Sequence, residues 1–247
     1  MRTPLFPDSS GPLVFAHRGY SAAKPENTLS AFEAARACGA HGVELDIQLC
    51  GTGELVVFHD WTVDRLTGSG GTVIEMSWRE LSQLTIGDGE RIPRLTEVLD
   101  LLGGNVYYDI EIKNRGHRDS GIEQALASLI DTRGLAGKVL VSSFNPYPLR
   151  EMRNIAPHIP TAIIYTKHSA EMPWYLKRGL GKTIAGTMAV KPDRRQVSRL
   201  GMLPRRLTGV PVLPWTVDDP GEAQRLVGLG CAGIITNTPE TILAALR

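Results

Sequence analysis

Two apolar runs of this 247-residue chain carry acids at two-residue spacing: Glu44 and Asp46 in "GVELDIQL", and Asp109 and Glu111 in "YYDIEIK". A strand sends alternate side chains to opposite faces. Val43, Leu45 and Ile47 therefore share one face of the first run, and Glu44 and Asp46 share the other. In the second, Tyr108, Ile110 and Ile112 oppose Asp109, Glu111 and Lys113. Two carboxylates about 4 Å apart repel by about 4 kcal/mol at an effective dielectric near 20. Glu44, Asp46 and Glu111, brought together, call for a cation or for protons. Oxygen ligands without a cysteine partner favour a hard divalent ion, Mg²⁺ or Ca²⁺. Salt bridging of the same acids to Arg18 and Lys113 alone is the competing reading. Asp109 falls one inward step below Glu111 and reads as a supporting acid.

Proton carriers lie nearby in the pattern. His17 ends "LVFAH" and His59 ends the run in "LVVFHD". A lone histidine is most often structural, but two at strand ends beside a carboxylate trio suit proton transfer at both ends of a reaction. Arg18 and Lys113 add positive charge. Cations, a carboxylate-bound dication and two imidazoles equip a site to neutralise and cleave an oxyanion substrate, most simply a phosphate ester. His41, His117, His158 and His168 lack that setting. His117, in "NRGHRD", reads as an exposed loop position, with substrate contact from the third loop as the alternative.

The elements that must position these groups recur along the chain. Apolar strand-like runs occupy residues 13–17, 42–49, 106–113, 138–144, 161–166, 183–190, 211–217 and 231–237. Segments with apolar residues at three-and-four spacing lie between them, among them "TLSAFEAARACG", "GIEQALASLIDTRG", "PLREMRNIA", "RRQVSRLGML", "GEAQRLVGLG" and "PETILAALR". Gly39, Gly134 and Gly230 fit the position just past a helix end. Strands alternating with helices imply a parallel sheet with right-handed crossovers, and eight units in about 240 residues predict a closed sheet, the (β/α)8 TIM barrel. An open doubly wound sheet is the runner-up, but no Gly-x-Gly-x-x-Gly turn follows the first strand. The interval between the second and third strands is too long. It reads as an insertion over about residues 50–92 with a short hairpin and an extra helix, in one domain spanning 1–247. "TEVLDLL" then serves as the barrel's own helix.

Composition narrows the function classes. With 27 basic and 26 acidic residues, the chain has no overall charge footprint for nucleic acid or an anionic membrane. Pro4, Pro7 and Asp8 interrupt any signal-peptide core, and no apolar run approaches the ~20 residues that span a bilayer. Cys38, Cys50 and Cys231 are odd in number and lack metal-ligand spacing, which points to a reducing cytoplasmic setting.

"AHRGYSAAKPENTLSAFEAARACGAHGVELDIQL", "LVVFHDWTVDRLTG", "IPRLTEVLDLL", "DIEIK", "PWTV" and "AGIITNTPE", in this order, resemble the glycerophosphodiester phosphodiesterase family across nearly the whole chain. His-Arg-Gly, Pro-Glu-Asn-Thr, Glu-x-Asp and His-Asp within about 45 residues carry the resemblance. It implies a TIM barrel with a small insertion after the second strand. It also implies metal-dependent hydrolysis of a small-molecule glycerophosphodiester to glycerol 3-phosphate and an alcohol, with Mg²⁺ or Ca²⁺ bound. Carried over, Glu44, Asp46 and Glu111 correspond to the metal-binding acids and His17 and His59 to the acid/base pair. Arg18 and Lys113 look like the phosphate-contacting cations. Trp215 would line the wall against the glycerol or alcohol moiety, and Phe144 is a second candidate for that wall. Asn27 or Thr28 reads independently as a helix N-cap, and Glu26 as a residue that holds Arg18, with a place in the metal's neighbourhood as the alternative. No nucleic-acid or membrane-spanning partner is implied, and the chain is expected as a monomer or homodimer.

Three positions depart from the family pattern: "CGTGEL" in place of a threonine and an Asp-Gly turn, Asp218 where Asn is common, and Asn237 where Asp is common. Two alternatives stand beside the hydrolase. One is a lysophospholipase D-like or cyclic-phosphate-forming lyase activity on lysophospholipids, for which Met172, Trp174 and Leu176 in "EMPWYL" would have to form an apolar mouth rather than an ordinary helix face. The other is a catalytically idle barrel that only binds the diester, which the presence of both histidines and all three acids disfavours.

Overall fold

The computed structural model describes residues 5–9, 11–114, 121–169 and 173–247. His117 and Met172 lie outside the described residues. Strand β1 (Leu13–His17) pairs in parallel with β2 (Gly42–Leu49) on one side and β10 (Gly233–Thr236) on the other. From β2 the parallel sheet continues through β6 (Tyr107–Ile112), β7 (Val139–Ser143), β8 (Thr161–Tyr165) and β9 (Ala189–Pro192). Helices α1 (Leu29–Ala37), α4 (Leu95–Leu102), α5 (Ile122–Thr132), α6 (Pro146–Ile155), α7 (Gly181–Ala185), α8 (Arg199–Thr208), α9 (Pro220–Gly228) and α10 (Pro239–Leu246) alternate with these strands. This is the TIM-barrel order that the apolar pattern predicts.

Two strands differ from the sequence reading. The run at 183–190 begins inside α7: Gly186, at φ +66°, caps that helix, and the strand starts only at Ala189. Residues 211–217 form no regular strand, because Pro211 and Pro214 have no N–H to donate to a ladder. They are nonetheless bonded on both edges. Val190 N–H donates to Pro211 C=O and Leu213 N–H to Val190 C=O, while Ala232 N–H donates to Val212 C=O and Val217 N–H to Ile235 C=O. Isolated parallel bridges at Val190–Val212 and Asp193–Trp215 complete the seam between β9 and β10.

The core divides as the alternation requires. Val43, Leu45, Ile47, Tyr108, Ile110 and Ile112 pack outward against helix residues such as Phe32, Leu99 and Leu126. A smaller inner cluster of Phe15, Leu140, Ala162, Ala189, Leu213 and Ile235 fills the barrel floor, where Leu5 and Phe6 from the N-terminal segment close it from below. Phe6 stacks on Tyr107 with ring centroids 4.3 Å apart. Between β2 and β6, strand β3 (Leu55–Val57) folds back antiparallel on β2. Short helices α2 (Asp64–Thr67) and α3 (Trp78–Leu81) and a two-stranded ribbon, β4 (Thr85–Ile86) with β5 (Glu90–Arg91), follow it. Val56, Phe58, Val63, Val73, Leu81, Ile86 and Ile92 form an apolar cluster of their own there. The return of β3 carries His59 back over the end of β2.

Helix starts follow side-chain capping. Thr28 caps α1 by accepting from the Ala31 N–H, Asn145 caps α6 ahead of Pro146, Ser198 caps α8 and Asp219 caps α9.

Candidate active site

Strand register sets the layers of the barrel mouth. His17 aligns with Glu44 and Glu44 with Asp109; one step higher, Asp46 aligns with Glu111. All four acids are buried, at 0–6 % exposure. One oxygen from each of Glu44, Asp46 and Glu111 lies within 4.8 Å of the others. An ion that holds oxygens at about 2.0–2.6 Å keeps its ligands within about 4–5 Å of one another, so the trio fits a hard dication in both chemistry and spread.

The turn after β1 brings in the cation. Arg18 takes a left-handed backbone, φ +55°, which aims its N–H at Glu44 Oε2, 3.2 Å away. Gly19 follows at φ +79°, where a Cβ would come within 2.7 Å of Ala31, so this tight passage over α1 admits only glycine. Arg18 Nη1 donates to Glu26 Oε1 at 2.8 Å and its Nε lies 3.4 Å from Asp46 Oδ2. Asn27, also left-handed and buried, donates through Nδ2 to Asp46 Oδ2 at 2.9 Å. Thr28 is therefore the N-cap, and Asn27 serves the acid. From β6, Lys113 Nζ donates to Glu111 Oε1 at 2.9 Å and stands 3.7 Å from Asp46 Oδ1.

The two histidines are held differently. His17 Nδ1 is 2.7 Å from Asn237 Oδ1, and Asn237 Nδ2 donates to Asp218 Oδ2 at 2.8 Å. That second bond turns the amide so that its oxygen faces the ring, so Nδ1 carries the hydrogen and Nε2 is the acceptor nitrogen. Asn237 and Asp218, both departures from the family pattern, thus form one unit behind His17. His59 Nδ1 is 2.6 Å from Asp60 Oδ1; Asp60 Oδ2 also accepts from Arg65 Nε, and Arg65 Nη2 donates to Glu26 Oε1 at 2.6 Å. Gln48 Nε2, buried, donates to the carbonyls of Phe58 and Asp60 and fixes this segment over the mouth.

Charge is distributed unevenly. Burial, reinforced by Asp46, pushes the Glu44 carboxyl well above the usual carboxylate range. Asp46 goes the other way: against its burial, Lys113 and Arg18 hold it well below that range. Burial and the neighbouring Arg18 guanidinium lower His17 to about 4. Two carboxyls on one strand are thus driven apart, one inclined to keep a proton and one held ionised.

One buried residue escapes the sequence reading. Lys191 Nζ lies 2.7 Å from Asp109 Oδ2 and 2.9 Å from Ser142 Oγ, which itself donates to Asp109 Oδ1 at 2.7 Å. Asp109 is thereby the structural acid of a buried triad beneath the trio. The signal was present, since Lys191 follows Ala189 at even spacing in "AVKP"; placing the strand at 183–190 ended it one residue short.

His17, Arg18, Glu44, His59, Glu111, Phe144, Lys191 and Trp215 line one cavity of about 230 Å³ at the carboxyl end of the barrel. Phe144 and Trp215 meet edge to face, centroids 5.5 Å apart, and Trp215 Nε1 donates to the Lys191 carbonyl. A second cavity of about 450 Å³ shares Glu111 and Phe144 with it, takes in Lys113, and runs outward past Trp61, Tyr147, Tyr175 and Leu176. A third, about 490 Å³, opens beside the barrel floor around Phe6, Arg153 and His158, away from this chemistry.

Residues 17–241 match the model of the Glycerophosphoryl diester phosphodiesterase family. A glycerophosphodiester phosphodiesterase of Caldanaerobacter subterraneus subsp. tengcongensis is 37% identical over 250 residues, covering 95% of this chain and 98% of its own. One from Bacillus altitudinis is 33% identical, covering 92% and 95%. Among solved structures, the glycerophosphodiester phosphodiesterase of Thermotoga maritima superposes with a TM-score of 0.78 at 25% identity, covering 97% of this chain and 100% of that one. An Oleispira antarctica phosphodiesterase in complex with the product sn-glycerol-3-phosphate superposes at 0.80 with 24% identity, covering 95% and 96%. Barrel and relatives together define a phosphoric diester hydrolase. The chain belongs to the glycerophosphodiester phosphodiesterase family.

Proposed function

We propose that the chain hydrolyses glycerophosphodiesters to glycerol 3-phosphate and an alcohol, with a divalent cation held by Glu44, Asp46 and Glu111 and acid/base chemistry from His17 and His59. The observation that carries this reading is the convergence of Glu44, Glu111 and both imidazoles on one cavity at the strands' carboxyl ends, with an Asp46 oxygen within 4.8 Å of an oxygen of each of the two glutamates. A bound Mg²⁺ or Ca²⁺ would supply Lewis-acid stabilisation of charge growing on the phosphoryl oxygens. Arg18 and Lys113, already drawn to the same acids, would share the non-bridging oxygens of the diester. His17, a donor at Nδ1 and an acceptor at Nε2, suits the base that takes a proton from the nucleophile. His59, whose ring is oriented through Nδ1 by Asp60, suits the acid that protonates the leaving alkoxide. Phe144 and Trp215 would wall off the organic part of the substrate.

Stripping the protein with EDTA and adding back Mg²⁺, Ca²⁺ or Mn²⁺ against several glycerophosphodiesters tests this reading. Activity should vanish and return with the metal, and His17→Ala and His59→Ala should each lose about 10²–10⁴ in kcat. Full turnover of the chelated enzyme sinks it. The aromatic second cavity favours one further reading, action on lysophospholipids, whose acyl glycerol could lie along Trp61, Tyr147 and Tyr175. Leu176 lines that cavity, whereas Trp174 is 77% exposed. Choline release from glycerophosphocholine compared with lysophosphatidylcholine separates the two. Three free thiols support the cytoplasmic setting. Among the described residues no helix is long and apolar enough to cross a membrane.

A further inference from the structure

Nine large hydrophobic side chains are exposed among the described residues, and six of them fall between positions 174 and 207: Trp174, Leu180, Ile184, Leu200, Leu203 and Leu207. Single exposed leucines are ordinary on protein surfaces; a concentration of this kind is not. Leu200, Leu203 and Leu207 stand at i, i+3 and i+7 of α8 and make one outward stripe, at 85%, 57% and 82% exposure, while Met202 faces the core at 3%.

The same stretch is strongly basic. Residues 173–208 hold nine of the chain's 27 lysines and arginines and one of its 26 acids, Asp193. Eighteen basic and 25 acidic residues remain for the rest, so a chain near neutrality overall is polarised into a cationic segment and an anionic remainder. Lys191 is spent in the barrel lumen and Arg195 pairs with Asp193. Arg178, Arg194 and Arg199 are exposed, and Lys177 and Lys182 are half-exposed.

The packing joins these residues into one surface. Arg205 of α8 donates to Tyr165 Oη at 2.6 Å, and Gly179 rests against the ring of that same tyrosine. Gln196 reaches the Lys177 carbonyl at 3.1 Å. The segment before α7 therefore neighbours the turn that leads into α8 and, through Tyr165, the second half of α8. The upper edge of this barrel wall, at Pro173 and Tyr175, is the rim of the aromatic cavity that leads to Glu111 and Lys113.

We propose that this wall is a peripheral docking surface for an anionic phospholipid bilayer, with the leucine stripe entering the headgroup boundary and the surrounding arginines and lysines meeting lipid phosphates. Charge decides between occupants. A second copy seated here in two-fold fashion would set cationic walls against each other, with Asp193 already committed to Arg195 and Thr166. An anionic membrane offers the opposite charge, and apolar side chains within a basic surround are the composition that interfacial segments use.

The test is flotation of the purified chain with vesicles of phosphatidylcholine alone or mixed with phosphatidylglycerol, at low and high salt, with sedimentation velocity in parallel. The expected result is binding to the anionic vesicles that weakens with salt and is absent on phosphatidylcholine alone. Leu200→Ser/Leu203→Ser/Leu207→Ser should lower the partition coefficient by roughly 10² or more, and Arg178→Glu/Arg199→Glu by about 30-fold or more. Both variants should keep the melting temperature and the turnover of soluble glycerophosphocholine, since none of these residues borders the acids or histidines. Failure to bind anionic vesicles, equal binding by the triple serine variant, or a wild-type dimer that the triple variant converts to monomer would each overturn the proposal. None of these outcomes bears on the hydrolytic reading, which the chelation experiment tests separately.

Discussion

Replacing Lys191 with methionine removes a charge from the barrel interior and leaves a shape of similar length. In the wild type the residue is 1% exposed and its ammonium touches Asp109 Oδ2 at 2.7 Å, with Glu44 and Glu111 acting on it at longer range. Deleting one partner of a buried pair leaves the other uncompensated, at about 3–5 kcal/mol. For a chain of this length each kcal/mol moves the melting temperature by about 2–4 °C, so Lys191→Met should melt roughly 6–20 °C lower. Differential scanning calorimetry of the EDTA-treated protein reads this directly. Lys191→Met combined with Asp109→Asn removes both charges and should recover most of the loss, giving a favourable coupling in a double-mutant cycle. Saturating Mg²⁺ or Ca²⁺ should also narrow the gap, because a dication among the acids takes over part of the neutralisation and stabilises by binding. A single variant within about 2 °C of wild type, or a double variant that loses the sum of the singles, would refute the argument that Lys191 offsets the acidic layer.

Three further outcomes follow from the same geometry. Asn237→Ala deletes the acceptor that orients His17 and should lower kcat by up to about 10²-fold with KM little changed; steady-state kinetics against Asn237→Asp, which keeps an acceptor, checks it. His17 titrates near 4 in the folded chain and near 6.5 unfolded, so the unfolded state binds more protons between those values. Stability should therefore fall by up to about 3 kcal/mol as pH drops from 6.5 to 4, and His17→Gln should flatten that part of the urea-unfolding profile. Because Glu44 holds its proton more tightly than an ordinary carboxylate, metal binding must displace that proton, and calorimetric affinity for Mg²⁺ should rise with pH across the weakly acidic range.

The alternation of "VELDI" and "YYDIEIK" exposed the acids to a reader of the sequence because strand geometry leaves only two faces, and the structure puts them where that rule sends them. His17 and His59 were visible for the same reason, as polar residues ending apolar runs. What the pattern could not show was pairing across distance. Asn237 lies 220 positions from His17, and only the adjacency of β1 and β10 brings them together. Lys191 was hidden by a local ambiguity: "TIAGTMAV" is apolar enough for a strand, and only a helix cap at Gly186 decides that the strand begins later. The proline-interrupted 211–217 segment reads as a strand by composition and behaves as one by its bonds, yet lacks the donors for a regular ladder.

Leu5 and Phe6, tucked under the inner cluster, stop the barrel at one end as a cork stops a bottle. Beneath Asp109 and Lys191 the lumen is packed solid by Phe15, Leu140, Ala162, Ala189, Leu213 and Ile235, so among the described residues the reaction chamber opens toward the rim and not through the floor. Shortening the amino terminus past Phe6 would open that base to solvent, and the buried charges nearest the floor would be the first to feel the water.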